Sequence, residues 1–115
     1  MAFTLYHNPR CSKSRQALEL LETRDVSITV RRYLDEPLDH QELTALLAAL
    51  GMTPRQLLRT GEDAYKELEL ANPALDDATL IQAMLDHPRL MERPILSDGS
   101  KAVVGRPPER VLELL

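Results

Sequence analysis

The chain contains a single cysteine, Cys11, among its 115 residues. A lone thiol cannot form an internal disulfide, and proteins without disulfides suit a reducing compartment. The sequence does not open with a basic segment followed by a long apolar run, which is the pattern of a secretory signal. No window approaches the ~18 apolar residues of a membrane span. These absences predict a cytoplasmic protein without a membrane partner.

An excess of positive charge is also missing. The chain has 14 Lys and Arg against 18 Asp and Glu, which gives a formal net charge of -4. Domains that bind nucleic acid usually carry a basic face, so we expect no nucleic-acid partner. A metal site is not expected either, because zinc sites need several Cys or His ligands. Here one cysteine accompanies three scattered histidines, His7, His40 and His87.

The composition does provide enough apolar material for a core. Hydrophobic residues make up 43% of the chain and charged residues 28%. A chain of this length buries roughly two-thirds of the surface that its unfolded form exposes. We therefore expect one domain over residues 1–115.

The first third of the sequence predicts a βαβ unit. Alternation over 3–7 indicates a strand, and an apolar stripe from Ser12 to about Arg24 indicates a helix. Alternation resumes at 26–33, which predicts a second strand. Two strands joined by a helix should be parallel, with a right-handed crossover.

Residues 39–91 are predicted to be helical. Asp39 can cap one helix, Gly51 can end it, and Asp76 or Asp77 can cap another. This segment would form an insertion between two halves of the domain.

Period-two alternation returns after Pro94. Asp98 and Gly99 lie between two short apolar runs, which is a hairpin signal. A last short helix is expected to turn Val111, Leu112 and Leu115 inward. The order βαβ, helical insertion, ββα is that of an α/β, thioredoxin-like fold, although a generic α+β domain fits it about as well.

The residues around Cys11 favour a reactive thiol over an inert, buried one. Cys11 falls where the loop after the first strand enters the first helix, and free backbone N–H groups there carry partial positive charge. The stretch HNPRCSKSR, residues 7–15, adds three basic side chains and two serines, and a protonated His7 would favour the thiolate further. We therefore expect the pKa of Cys11 to lie below the ~8.5 of a free thiol.

Spacing excludes two familiar thiol sites. A dithiol oxidoreductase needs C-x-x-C, but position 14 is Ser14. A phosphatase loop of the C-x5-R type needs arginine at position 17, where Ala17 stands. A monothiol site with an anion pocket is what the pattern still allows.

HNPRCSKSR resembles the H-N-P-x-C-x-x-S-R signature of the glutaredoxin-dependent arsenate reductase family. The similarity continues in order through YLDEP at 33–37, LLR at 57–59, AYKEL at 64–68, MERPI at 91–95 and VGRPPERVLELL at 104–115. It implies a thioredoxin-like fold with a helical insertion. It also implies the reduction of arsenate to arsenite, with glutathione as co-substrate, a glutaredoxin as partner and no bound cofactor.

The resemblance implies roles for particular residues as well. Cys11 would attack arsenic and form a covalent adduct, and His7 and Ser14 match positions that assist ionisation of the thiol. The thioredoxin-like fold further implies a cis peptide bond before Pro94, facing the thiol. Three arginines from distant segments match the family's oxyanion-binding positions: Arg59, Arg93 and Arg106.

Other functions stay open at this stage. Arg10, Ser12 and Lys13 stand where the best-known arsenate reductases have smaller, uncharged residues, so the substrate could be another oxyanion or a thiol adduct. One alternative activity is a glutathione-dependent thiol transferase. Another is a partner-binding transcriptional regulator of the same superfamily, although Ser14 removes the C-x-x-C switch of those proteins.

Overall fold

A computed structural model describes residues 2–115, and its elements follow the predicted order. The strands and α-helices are β1 Ala2–Tyr6, α1 Ser12–Glu22, β2 Ser27–Arg31, α2 His40–Leu50, α3 Pro54–Leu57, α4 Asp63–Glu67, α5 Asp77–Asp86, β3 Ile95–Ser97 and β4 Ala102–Val104. Two 3₁₀ helices lie at Pro88–Leu90 and Pro108–Leu114. The chain divides into two compact units: the residues up to Glu36 together with Arg93–Leu115, and Pro37–Glu92. The insertion expected at 39–91 falls within the second of these units.

The first unit is built on a four-stranded sheet with the order β2-β1-β3-β4. Strand β1 pairs in parallel with β2 and antiparallel with β3, and β3 and β4 form an antiparallel hairpin. Asp98 shapes the hairpin turn, because its carboxylate accepts the backbone N–H groups of Ser100 and Lys101 at 2.8 and 2.7 Å. Gly99 takes a φ of 96°, which glycine adopts without strain.

The core of this unit joins the sheet to α1 and to the C-terminal 3₁₀ helix. Helix α1 turns Ser14, Ala17 and Leu21 inward, at the spacing of one helical face. The buried core residues are Phe3, Leu5, Ala17, Leu21, Leu96, Val103 and Val111. This packing holds the start of α1, and therefore Cys11, over the end of β1.

Three sequence-based boundaries and contacts differ from the structure. Helix α1 ends at Glu22 and β2 at Arg31, both earlier than expected. Leu115 is 46% exposed and does not turn inward. The last helix is 3₁₀, which has three residues per turn, and this period brings Pro108, Val111 and Leu114 to one side.

The second unit is a helical block whose ends follow the predicted signals. The Asp39 carboxylate caps α2 by accepting the N–H of Glu42 at 2.7 Å, and Gly51 ends that helix with a φ of 66°. Thr53 and Gln56 form a capping box on α3. The buried side chains of the second unit are mainly leucines, and Met84 and Met91 are buried as well. Within residues 2–115, no helix is long and apolar enough to cross a membrane.

Candidate active site

Cys11 is the N-cap residue of α1, and a short hydrogen-bonded loop places it there. His7 extends the pairing of β1 and β2, since its N–H donates to the Arg31 carbonyl at 2.8 Å. The Asn8 carbonyl then accepts the N–H of Cys11, and the Asn8 side chain accepts the N–H of Arg10, both at 3.0 Å. The Cys11 side chain makes no capping hydrogen bond, so its sulfur is available for chemistry.

A buried hydrogen bond between His7 and Ser14 ties this loop to α1. The His7 Nδ1 and Ser14 Oγ atoms are 2.7 Å apart, and Ser14 Oγ also accepts the Asn8 N–H at 3.0 Å. Burial lowers the pKa of His7, and the charges of Arg32 and Arg15 lower it further. At neutral pH the imidazole is therefore uncharged. It supports the loop as a hydrogen-bonding group and does not supply positive charge to the thiol.

The pKa of Cys11 is lowered, which is the direction that the sequence predicted. Burial of the half-buried thiol raises its pKa, but three other contributions outweigh this effect. They are the backbone N–H of Ser14, the guanidinium of Arg93 through hydrogen bonding and charge, and the backbone N–H of Lys13. The backbone N–H groups at the start of α1 and the distant Arg93 thus lower the pKa of Cys11 more than the basic side chains beside it in sequence do.

Arg106 also reaches the sulfur, and it is joined to Arg93. Its Nη2 donates to Cys11 Sγ at 3.8 Å, and its Nε donates to the Arg93 carbonyl at 2.8 Å. The peptide bonds Arg93–Pro94 and Arg106–Pro107 are both cis. Arg93 Nε is buried and has no hydrogen-bond partner among residues 2–115. The first unit therefore brings together Cys11 and two guanidinium groups, one of which keeps a donor unused.

Arg59 belongs to the second unit. Its backbone N–H donates to the Leu90 carbonyl at 2.7 Å. Its guanidinium forms ion pairs with Glu62, at 3.5 Å from Nε, and with Glu92, at 3.7 Å from Nη1. A role for Arg59 in oxyanion binding stays a prediction that rests on the family resemblance.

Sequence reasoning missed the bond between Arg106 and the Arg93 carbonyl, and the second cis peptide before Pro107. The available signal was that both arginines immediately precede a proline. A second signal was the hairpin predicted around Asp98 and Gly99, because the two arginine–proline pairs flank its open end, where the register Ile95↔Val104 continues to positions 93 and 106. In the part of the chain that the structure describes, no group of three or more His, Cys, Asp or Glu could hold a metal ion.

Comparison with known proteins places this site in a family. The ArsC family model matches residues 6–114. An arsenate reductase of Neisseria meningitidis serogroup A is 49% identical over 112 residues, which cover 96% of each chain. YfgD of Escherichia coli (strain K12), described as uncharacterized, is 54% identical over 112 residues, which cover 96% of this chain and 94% of that protein.

A solved structure extends the comparison to three dimensions. The arsenate reductase from Vibrio cholerae superposes with a TM-score of 0.96 at 45% identity, covering 100% of this chain and 98% of that one. The fold is thus the α/β thioredoxin-like fold with a helical insertion, which the element order had left about even with a generic α+β domain and which the family resemblance implied. On the agreement of sequence, fold and family model, this chain belongs to the ArsC family.

Proposed function

We propose that the protein is an arsenate reductase in which Cys11 is the nucleophile. One observation carries the proposal: a thiol with a lowered pKa sits at the start of a helix with two guanidinium groups against it. A thiolate can attack arsenic, and the donors around it suit the oxygens of a tetrahedral oxyanion. Relatives and a solved structure at 45–49% identity carry the name arsenate reductase, which supports the same choice of substrate.

The reaction balances with two thiols. The Cys11 thiolate attacks arsenate and displaces one oxygen as water, which leaves arsenic bound to sulfur without a change of oxidation state. A second thiol then attacks the Cys11 sulfur, and the electron pair of the S–As bond passes to arsenic. Arsenic(V) becomes arsenic(III), and the two thiols are oxidised to one mixed disulfide.

The second thiol must come from outside the chain, because Cys11 is the only cysteine. Glutathione is the abundant thiol of a reducing cytoplasm, where we place the protein. A glutaredoxin would then reduce the mixed disulfide and release Cys11 for another turnover. Ser14 occupies the place of a resolving cysteine, so an internal disulfide cannot replace this step.

Arg93 and Arg106 would hold the substrate oxygens. Arg93 Nε is a buried donor without a protein partner among residues 2–115, so it is placed to donate to an acceptor on a bound oxyanion. An arsenate oxygen supplies that acceptor. Stabilisation of developing charge by a placed donor can contribute ~3 kcal/mol to catalysis. We add Arg59 as a third contact on the family resemblance.

The test is arsenite formation by the purified protein with arsenate, glutathione and a glutaredoxin. We expect Cys11→Ser to reduce turnover to background, since a hydroxyl is a far poorer nucleophile than a thiolate at neutral pH. Omission of glutathione or of glutaredoxin should stop multiple turnover. A glutathione mixed disulfide, offered in place of arsenate, serves as the comparison substrate.

Two outcomes contradict the proposal. If the folded wild-type protein makes no more arsenite than Cys11→Ser, the arsenate assignment is wrong. If it reduces the mixed disulfide and not arsenate, the thiol-transferase activity takes its place.

A further inference from the structure

Gly105 has no room for a side chain. A Cβ atom built on it would lie 2.9 Å from Pro94 Cγ, 2.9 Å from Val111 Cγ1 and 3.5 Å from Pro94 Cδ. Carbon atoms that are not bonded to each other pack best at about 3.5–4.0 Å. A methyl group at this position would therefore have to move its neighbours by roughly half an ångström or more. Gly105 is buried directly after β4, so solvent offers no alternative space.

Neither neighbour can yield easily. The Pro94 ring is rigid and closes on its own backbone, so moving the ring moves the chain next to Arg93. Val111 is fully buried in the core of the first unit. A close-packed core transmits such a displacement and does not absorb it.

The segments on either side of this contact are the ones that carry the two arginines. The Gly105 N–H donates to the Pro94 carbonyl at 2.8 Å, and Arg106 Nε donates to the Arg93 carbonyl at 2.8 Å. From this position Arg106 Nη2 lies 3.8 Å from Cys11 Sγ. This distance is already long for a hydrogen bond to sulfur, so a small displacement of Arg106 would break it. The close approach of Gly105 to Pro94 and the reach of Arg106 to the sulfur are thus parts of one arrangement.

We propose that Gly105 is a positioning residue of the thiol site. Because it lacks a Cβ, the chain at 105–106 can lie against Pro94, and both guanidinium groups reach the Cys11 sulfur. The inference deepens the proposed function, since the same two groups would hold the oxyanion. Its main readout concerns the thiol alone and does not depend on arsenate.

The test compares Gly105→Ala with Gly61→Ala, a matched control at a glycine where an added methyl meets no atom within 4 Å and φ is not positive. The rate of Cys11 alkylation by iodoacetamide is followed against pH. We expect Gly105→Ala to shift the profile to higher pH and to slow alkylation at pH 7 by roughly threefold or more, because the thiolate fraction falls tenfold for each unit of pKa above the pH. Gly61→Ala should follow the wild type. A folded Gly105→Ala with the wild-type profile overturns the proposal.

A second pair of variants separates positioning from core packing. Val111→Ala removes the atom on one side of Gly105, so Gly105→Ala/Val111→Ala should fold even where Gly105→Ala does not. The contact with Pro94 remains, and the double variant should keep the shifted profile while Val111→Ala alone keeps the wild-type one. If the double variant returns to the wild-type profile, the contact with Pro94 does not position the site and the proposal is wrong.

Arsenate protection distinguishes this inference from the proposed function. Arsenate should slow alkylation of the wild-type thiol. The arsenate concentration that gives half-maximal protection should rise about tenfold in Gly105→Ala, the loss of affinity expected when one hydrogen bond to the oxyanion is lost. If arsenate fails to protect even the wild type, the proposed substrate is contradicted, while the pH profiles still decide the role of Gly105. If it protects Gly105→Ala as well as the wild type, the positioning role is contradicted instead.

Discussion

At the scale of single residues, Arg93 and Arg106 serve the same thiol in different ways. Arg93 acts on Cys11 by charge and hydrogen bonding, and it keeps a buried Nε without a partner among residues 2–115. Arg106 uses its Nε on the Arg93 carbonyl and reaches the sulfur with Nη2. A planar guanidinium has several donors in fixed directions, which lets one residue hold its neighbour and the thiol together. Lysine could not do both.

Replacement of Arg93 by glutamine should raise the pKa of Cys11. The substitution removes the main side-chain contribution that lowers this pKa, while burial of the thiol, which raises it, remains. Alkylation by iodoacetamide against pH should therefore shift to higher pH. Arsenite turnover should fall by an order of magnitude or more, since one donor to the reacting oxyanion is lost.

Arg110→Gln is the matched control for this substitution. Arg110 is exposed and forms its ion pair with Glu113, so its loss should leave both readouts unchanged. An unshifted alkylation profile in folded Arg93→Gln would show that Arg93 does not act on the thiol.

At the scale of secondary structure elements, the N-cap residue of α1 differs from those of three helices in the second unit. Cys11 stands at the start of α1 without capping through its side chain, whereas Asp39, Thr53 and Asp76 each cap a helix of the second unit. A capping side chain is occupied by backbone N–H groups. The start of α1 instead leaves backbone donors for the sulfur, and two of them lower the pKa of Cys11.

The identity of the residue that caps α5 can be tested directly, because the sequence left Asp76 and Asp77 as alternatives and the structure assigns the cap to Asp76. The Asp76 carboxylate accepts the Thr79 N–H at 2.9 Å and the Thr79 hydroxyl at 2.6 Å. We expect Asp76→Ala to lower the free energy of unfolding, because the start of α5 loses its capping hydrogen bonds. Asp77→Ala should lower it less, because this variant loses only a favourable charge in the first turn and no capping hydrogen bond. Urea unfolding measures both, and equal losses would contradict the assignment of the cap.

At the scale of the whole molecule, the buried His7 couples stability to pH. In the unfolded chain a histidine has a pKa of ~6.5, whereas burial and the charges of Arg32 and Arg15 lower the pKa of His7 in the fold. Between the two values the unfolded chain binds more protons than the folded protein. The stability that His7 contributes is therefore complete above ~6.5 and is lost as the pH falls toward the folded value.

We expect the wild type to lose more stability than His7→Asn between pH 7 and pH 5. The difference between the two slopes can reach about 1.4 kcal/mol per pH unit, which is the limit for one proton. Urea unfolding at a series of pH values measures the slopes. Parallel slopes for the wild type and His7→Asn would contradict a neutral, buried His7.

Much of the fold followed from local signals in the sequence. The hairpin around Asp98, the stop at Gly51 and the element order were predicted and confirmed, because turn and cap chemistry depends on residues a few positions apart. The inward turn of Leu115 was wrong. A 3₁₀ helix and an α-helix of this length differ by a small change of pitch, which packing on the core decides and residue pattern does not.

By itself, the sequence determined the local part of the site: a loop that ends β1, a cysteine at the start of α1 and the backbone donors that follow it. These features arise from neighbouring residues, so their spacing along the chain is enough to predict them. Only the tertiary structure decided that Arg106, 95 residues from Cys11, reaches its sulfur, and that the Arg93 carbonyl holds it there. Such contacts depend on how β3 and β4 pack beside β1, and on a glycine at 105 that lets two chain segments approach. No pattern along the chain records a distance across the fold.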